Sequence, residues 1–281
     1  MNKISNISQK EHKMRKILLT FAALAVLLTG CFTSSTQAGL VGADRRQLLL
    51  VSSETMDQSA AQAYTQTLRS ARSKGELNID PILTKRVQNI AKRLIAQTGV
   101  FRKDALKWNW QVNVINEDTI NAWCMPGGRI VVYSGIIKRL DLTDAQLAAV
   151  MGHEMAHALR EHSREQASTD QIKNIGIFAV AAAAGLGDAG AQALNLASEY
   201  TISLPFSRSH ETEADHIGTE LMARAGYDPN EAVKVWEKMT KISGGKVPEI
   251  LSTHPSNESR IKDLKEIAKK LEPLYQAAVK S

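Results

Sequence analysis

Hydrophobic positions recur at helical spacing along most of this chain and alternate at strand spacing over one short stretch. Segments at about 54–72 and 81–97 read as helices, and in the second Leu83, Val87, Ile90 and Leu94 share one face. At Trp108, Trp110, Val112 and Val114 the period shortens to two, with Asn109, Gln111 and Asn113 between them, which predicts a strand with one face to the core. Pro126-Gly127-Gly128 is a turn signal, and Ile130 to Tyr133 is β-rich on its far side. Thr143-Asp144-Ala145-Gln146 is a capping-box start, and Leu147, Met151, Met155 and Ala158 then line one helical face. A later helix ends at Gly226, another begins at Asp228-Pro229-Asn230-Glu231 with a capping box and Pro at N1, and a last one covers about 256–270. These elements predict an α+β fold that is mostly α, with a small antiparallel sheet.

The N-terminus reads differently from the rest. Lys13, Arg15 and Lys16 precede an apolar run from Ile17 to Leu28, the shape of a signal-peptide h-region and too short for a stable span. Leu28-Thr29-Gly30-Cys31 resembles the lipobox of bacterial lipoproteins, so residues 1–30 read as a leader, Cys31 as the lipidated residue, and Met14 as an alternative start. Phe32 after that cysteine suggests, by resemblance to lipoprotein sorting rules, the outer membrane with the protein facing the periplasm. Residues 31–46 then read as a tether and 47–281 as one catalytic domain. Lys3, Lys10, Lys13, Arg15 and Lys16 against Glu11 carry +4 of the chain's net +6, so the remainder is close to neutral and shows no nucleic-acid platform. Cys124 is then the only free thiol, and no intramolecular disulfide is available. The Ala-rich run Ile175–Leu186 falls short of a membrane span, leaving a mobile cover, a membrane-facing patch or a buried helix as its readings.

Chemistry concentrates in His153-Glu154-Met155-Ala156-His157. Two imidazoles one helical turn apart can grip one metal ion, and the carboxylate beside the first can work on water that the metal activates. Zinc in a catalytic site takes three protein ligands. His162 does not complete the metzincin pattern, because Arg160 stands where that pattern has glycine, and it reads as a solvated side chain. In Ser207-Arg208-Ser209-His210-Glu211-Thr212-Glu213-Ala214-Asp215, Glu211 and Asp215 lie one turn apart on a helix. Glu211 suits the third ligand and Asp215 the group that fixes a liganding histidine's tautomer, with His210 as an alternative ligand. Glu213, about 200° around the helix from Glu211, should face elsewhere, and Gly218 would let two helices approach closely.

H-E-M-A-H followed by S-R-S-H-E-T-E-A-D resembles the gluzincin metallopeptidases related to HtpX and the CAAX prenyl endopeptidases, in their soluble or lipoprotein branch. Asn121-Ala122-Trp123-Cys124-Met125-Pro126-Gly127-Gly128 and the strand after it are similar to that family's N-A-x-x-x-P-G-G segment, and Ser252-Thr253-His254-Pro255 with Arg260 to its T-H-P loop. The similarity runs from about Gln47 to about Leu264. It implies a zincin-like domain and a zinc endopeptidase with one Zn2+ held by His153, His157 and Glu211, and Glu154 as general base.

Two further expectations rest partly on the resemblance. His254 would reach the active site, donating to the tetrahedral intermediate or occupying the open zinc position at rest. Asn121, Ala122 and Trp123 would pair with an extended substrate backbone as an edge strand. The expected partners are protein substrates, outer-membrane or periplasmic clients, with the membrane reached through the lipid. The competing class is a chaperone-like envelope assembly factor with incidental proteolysis. The sequence leaves the client, the cleavage preference and the oligomeric state open.

Overall fold

A computed structural model of the chain describes residues 32–183, 206–242, 249–254 and 258–280. The leader, Cys31 and the part of the Ala-rich run beyond Ala183 lie outside them. In order, the elements are β1 (Phe32–Thr33), β2 (Gln47–Leu48), α1 (Ser53–Ser73), α2 (Pro81–Ile95), two 3-10 turns, β3 (Gln111–Ile115), β4 (Ala122–Met125), β5 (Arg129–Tyr133), α3 (Ser134–Arg139), α4 (Asp144–Leu159), α5 (His162–Ala183), α6 (Arg208–Arg224), α7 (Asn230–Ile242), α8 (Glu249–Thr253) and α9 (Glu258–Lys280). No described helix is long and apolar enough to cross a membrane.

The architecture is mostly helical with a small sheet, as the periodicities indicate. Its organising element is α4, buried from Gln146 to Leu159. The helix starts where the capping box places it: the Gln146 N–H donates to Thr143 Oγ1 and the Thr143 N–H to Gln146 Oε1, both at 3.3 Å. One side of α4 packs on the sheet and the other on α6, α7 and α2. The α4–α6 crossing is close because two glycines meet there. A Cβ built on Gly218 would lie 2.6 Å from the His153 nitrogen, and one on Gly152 would lie 2.8 Å from the Gly218 oxygen. Helix α6 stops at Gly226, whose φ of +74° suits a residue without Cβ. The Gly226 and Tyr227 N–H groups return to Ala223 O and Met222 O, a Schellman closure.

The sheet runs β3-β5-β4. β4 and β5 form the expected antiparallel hairpin around Gly127 and Gly128, but β3 pairs with β5 in parallel, so the sheet is mixed. The hairpin folds so that its second strand lies inside, against β3, and β4 is left on an edge. The strand expected from Trp108 begins only at Gln111. The preceding 3-10 turn takes Lys103–Lys107, and Trp110 Nε1 donates to Ala105 O at 2.8 Å, which ties that indole back to the turn. At the other end, α9 runs well past residue 270, to Lys280.

The expected tether is not loose where it is described. Residues 32–48 fold onto the ends of α4, α5 and α6: Thr36, Val41, Ala43 and Gln47 are buried, and the Leu40 and Val41 N–H groups donate to Glu220 Oε2 at 2.8 and 3.1 Å. Its polar side chains find buried partners on those helices, which holds the segment down. Helix α5 carries the start of the Ala-rich run, with Ile172 and Ile175 exposed.

Candidate active site

His153 and His157 sit one turn apart on α4, both buried, with their Nε2 atoms 3.1 Å apart. Glu211 comes from the first turn of α6, which Ser207 caps by accepting from the His210 N–H at 3.2 Å. Its Oε1 lies 3.5 Å from His157 Nε2 and its Oε2 lies 3.6 Å from His153 Nε2. His254, at the end of α8, brings Nδ1 to 3.0 Å from Glu211 Oε1 and 3.3 Å from His153 Nε2. Among the described residues, these four form the one group placed to hold a metal ion, with donor atoms within 4.8 Å of one another.

The donor set fits zinc. Bonds of about 2.0–2.1 Å to a tetrahedral ion place neighbouring donors roughly 3.4 Å apart; five of the contacts here, taken to either Glu211 oxygen, run from 3.0 to 3.6 Å, and all four donor atoms lie within 4.8 Å of one another. Asp215 Oδ1 lies 2.9 Å from His153 Nδ1 and accepts a hydrogen bond from Nδ1–H, the tautomer that leaves a lone pair on Nε2. Buried lone pairs converging beside a carboxylate are unfavourable without a cation between them.

Around the donors, Arg260 binds both acids: its Nε and Nη2 reach Asp215 at 2.5 and 2.8 Å, and its Nη1 reaches Glu211 Oε2 at 2.6 Å. Burial alone would raise the Asp215 carboxyl, but Arg260 and His153 hold it well below the usual range. The guanidinium lies 3.7 Å over the Trp236 ring, and Trp236 in turn meets the His153 ring edge-on at 5.5 Å. Glu154 is buried beside the group, its Oε1 without a hydrogen-bond partner and 3.6 Å from His254 Nε2. Burial raises its pKa, with His254 and His153 opposing. A raised carboxylate suits a proton acceptor.

A cleft of about 400 Å³ opens over Glu154, His157 and His254, bounded by β4, α1 and α5. Asn121, Ala122 and Trp123 line it. Asn121 is anchored, its Nδ2 donating to Glu249 Oε1 at 3.0 Å and its Oδ1 accepting from the Ala122 N–H at 2.9 Å. Trp123 packs edge-on against Tyr64 of α1 at 5.9 Å and, half-buried, against the small cluster of Tyr64, Ala71, Ile115 and Val131. Cys124 also lines the cleft, and burial pushes its thiol well up, the opposite of what a nucleophile needs.

His162 is not a solvated side chain. It is fully buried, with Nδ1 2.9 Å from His157 Nδ1 and Nε2 3.0 Å from Glu213 Oε2. Helix α6 and the N-terminal segment cover this face of α4, which spacing along α4 alone does not disclose. Burial lowers the pKa of His162 to about 4, Glu213 opposing. His210 is not among the donors: its Nε2 pairs with Glu165 Oε2 at 3.2 Å and its ring stacks on His162 at 4.4 Å. Glu213 does face away from the donors, as its position on the helix indicates. Sequence reasoning missed Phe206, which stacks on His157 at 4.1 Å, and Trp236. Only the position of Phe206 directly before the N-cap Ser207 hinted at it.

Two histidines on one helix, a glutamate from a second helix and a free glutamate beside them define a gluzincin-type metallopeptidase centre. The chain belongs to peptidase family M48, whose pattern matches residues 81–268. It is 35% identical over 225 residues to the mitochondrial metalloendopeptidase OMA1 of Schizosaccharomyces pombe, covering 79% of this chain and 64% of that one. It is 41% identical over 154 residues to the same-named protein of Arabidopsis thaliana, covering 55% and 30%. Against the β-barrel assembly-enhancing protease of Escherichia coli K12 the identity is 29% over 216 residues, covering 74% and 43%. The chain thus spans less than two thirds of the length of each of these relatives.

Proposed function

We propose that this chain is a zinc-dependent endopeptidase of the bacterial cell envelope that cleaves misfolded or client outer-membrane proteins as part of quality control. The observation that carries the reading is Glu154, buried with an unpartnered Oε1 beside the four-donor group and at the floor of an open cleft. His153, His157 and Glu211 would hold the ion, and Asp215 with Arg260 would keep His153 in its liganding tautomer. Bound zinc supplies Lewis acidity, making water more acidic and a carbonyl more electrophilic. Glu154 Oε1 accepts the proton of the attacking water and passes it to the leaving amide nitrogen. Edge strand β4 at Ala122 and Trp123, with Asn121 directly before it, offers main-chain groups that align an extended peptide across Glu154. Glu154→Gln should keep zinc and fold while abolishing chelator-sensitive casein cleavage; turnover by that variant would sink the assignment and favour a chaperone-like factor.

A second reading concerns His254, favoured by its Nδ1 lying among the donors. There it closes the fourth position at rest, and it must leave for water and substrate to enter. His254→Ala should change proteolysis, zinc affinity or both, and no change in either would refute the role. The envelope address rests on the lipobox-like Leu28–Cys31, with the β-barrel assembly-enhancing protease of Escherichia coli among the relatives in its support and the mitochondrial relatives against it. An unmodified Cys31 or a retained leader in N-terminal mass analysis would remove it.

A further inference from the structure

The two liganding histidines are held from outside by different means. His153 meets a carboxylate directly, through Asp215, whereas His157 meets a second imidazole, that of His162. A carboxylate only accepts, so His162 Nε2, 3.0 Å from Glu213 Oε2, carries the proton. Its Nδ1 then offers a lone pair to His157 Nδ1–H at 2.9 Å, and this orients the Nε2 lone pair of His157 toward the donor group.

Glu213 itself is fixed by two arginines. Arg160, fully buried at the C-cap of α4, donates from Nε at 3.2 Å and from Nη2 at 3.0 Å. Arg45 donates from Nε at 2.9 Å and from Nη2 at 3.2 Å, and bridges to Glu165 at 2.7 and 2.9 Å. The N-terminal segment also holds Arg160. Ser34 Oγ, Thr36 Oγ1 and Arg45 O accept from its guanidinium at 3.0, 3.1 and 2.9 Å, and Gln47 Nε2 donates at 2.6 Å to the Arg160 carbonyl, one of the open acceptors at the helix end.

We propose that the segment 34–47 and His162 belong to the metal centre as positioning residues: Arg45 and Arg160 fix Glu213, Glu213 fixes His162, and His162 fixes the ring of His157. The links from Arg160 through Glu213 and His162 to His157 are buried or half-buried, so water does not readily substitute for a partner removed there, whereas the Arg45–Glu213 contact lies at the exposed edge of the chain of contacts. The inference rests on the zinc-centre reading above, and its test separates the two.

Zinc affinity would be measured on the full chain by chelator competition, with the cobalt(II)-substituted absorption spectrum as a probe of ligand geometry and urea unfolding of metal-free protein as a control. His162→Leu should weaken zinc about 10–100-fold, the usual effect of losing a ligand's outer partner, and alter the cobalt spectrum. His162→Gln, which can accept with Oε1 and donate with Nε2, should restore most of the affinity. Arg45→Met, at a half-exposed position that tolerates change in folding terms, should weaken zinc several-fold, and it carries the test if the leucine variant does not fold. Unchanged affinity and spectrum in His162→Leu would overturn the relay, and the same result in Arg45→Met would overturn the part played by the N-terminal segment. Failure of the parent protein to bind one zinc would instead overturn the active-site reading, and this inference with it.

Discussion

The α4–α6 crossing allows a sharp test, because replacing Gly218 with alanine sets a local gain against a tertiary loss. In an isolated helix the change would stabilise by about 1 kcal/mol. Here the new Cβ would lie 2.6 Å from the His153 nitrogen, 2.7 Å from the Gly152 carbonyl carbon and 2.9 Å from the His153 Cα. These are backbone atoms, which cannot rotate away. Ordinary contacts need roughly 3.5–4.0 Å, so the helices must part by about 1 Å. Overpacking of this kind costs about 1–3 kcal/mol, and a clash with rigid backbone sits at the upper end. Against the propensity gain, the expected net loss is about 2 kcal/mol in urea unfolding of the metal-free protein. The metal centre should suffer more visibly, since α6 carries Glu211 and Asp215, and a shift of about 1 Å carries Glu211 out of donor spacing. Zinc affinity should therefore fall at least about tenfold, the size of change expected when ligand orientation is disturbed. Gly218→Ala protein with parental zinc affinity and equal or higher stability would refute the claim that close helix approach sets the ligand geometry.

Asp215→Asn removes the charge that pairs with Arg260 and leaves His153 Nδ1 only a neutral, weaker acceptor, so zinc binding measured by chelator competition should weaken about 10–100-fold. Thr143→Ala deletes the cap of α4 and should cost about 1 kcal/mol in urea unfolding, with zinc affinity nearly unchanged because the cap lies over two turns from His153. Burial pushes the Glu213 carboxyl up, but His162, Arg45 and Arg160 hold it at about 2, below its ordinary 4.5. The unfolded chain therefore binds the extra proton first, and this stabilisation is present above about pH 4.5 and lost as pH falls toward 2. Acid unfolding of metal-free Glu213→Gln should show a flatter slope across that window, and an identical slope would count against the buried network.

Why some of this was legible in sequence and some was not follows from how far each feature reaches along the chain. The start of α4 depends on Thr143 and Gln146, the stop of α6 on Gly226, and the side-by-side placement of His153 with His157 and of Glu211 with Asp215 on four-residue spacing within single helices. All of these are local, and local periodicity reports them. The parallel pairing of β3 with β5 is set by the order in which a hairpin folds onto an earlier strand, and period-two alternation carries no direction. His162 fails for a related reason. Its spacing from His157 excludes a metzincin ligand, but nothing within α4 or α5 announces that residues 34–47, more than a hundred positions earlier in the chain, pack over this end of α4. Once that cover is present, burial demands that each nitrogen of His162 be partnered, and the partners are His157 and Glu213. The same cover is made by a stretch that composition reads as tether, packed here on the helices that carry the site. The role proposed for it is therefore tested by zinc affinity in Arg45→Met.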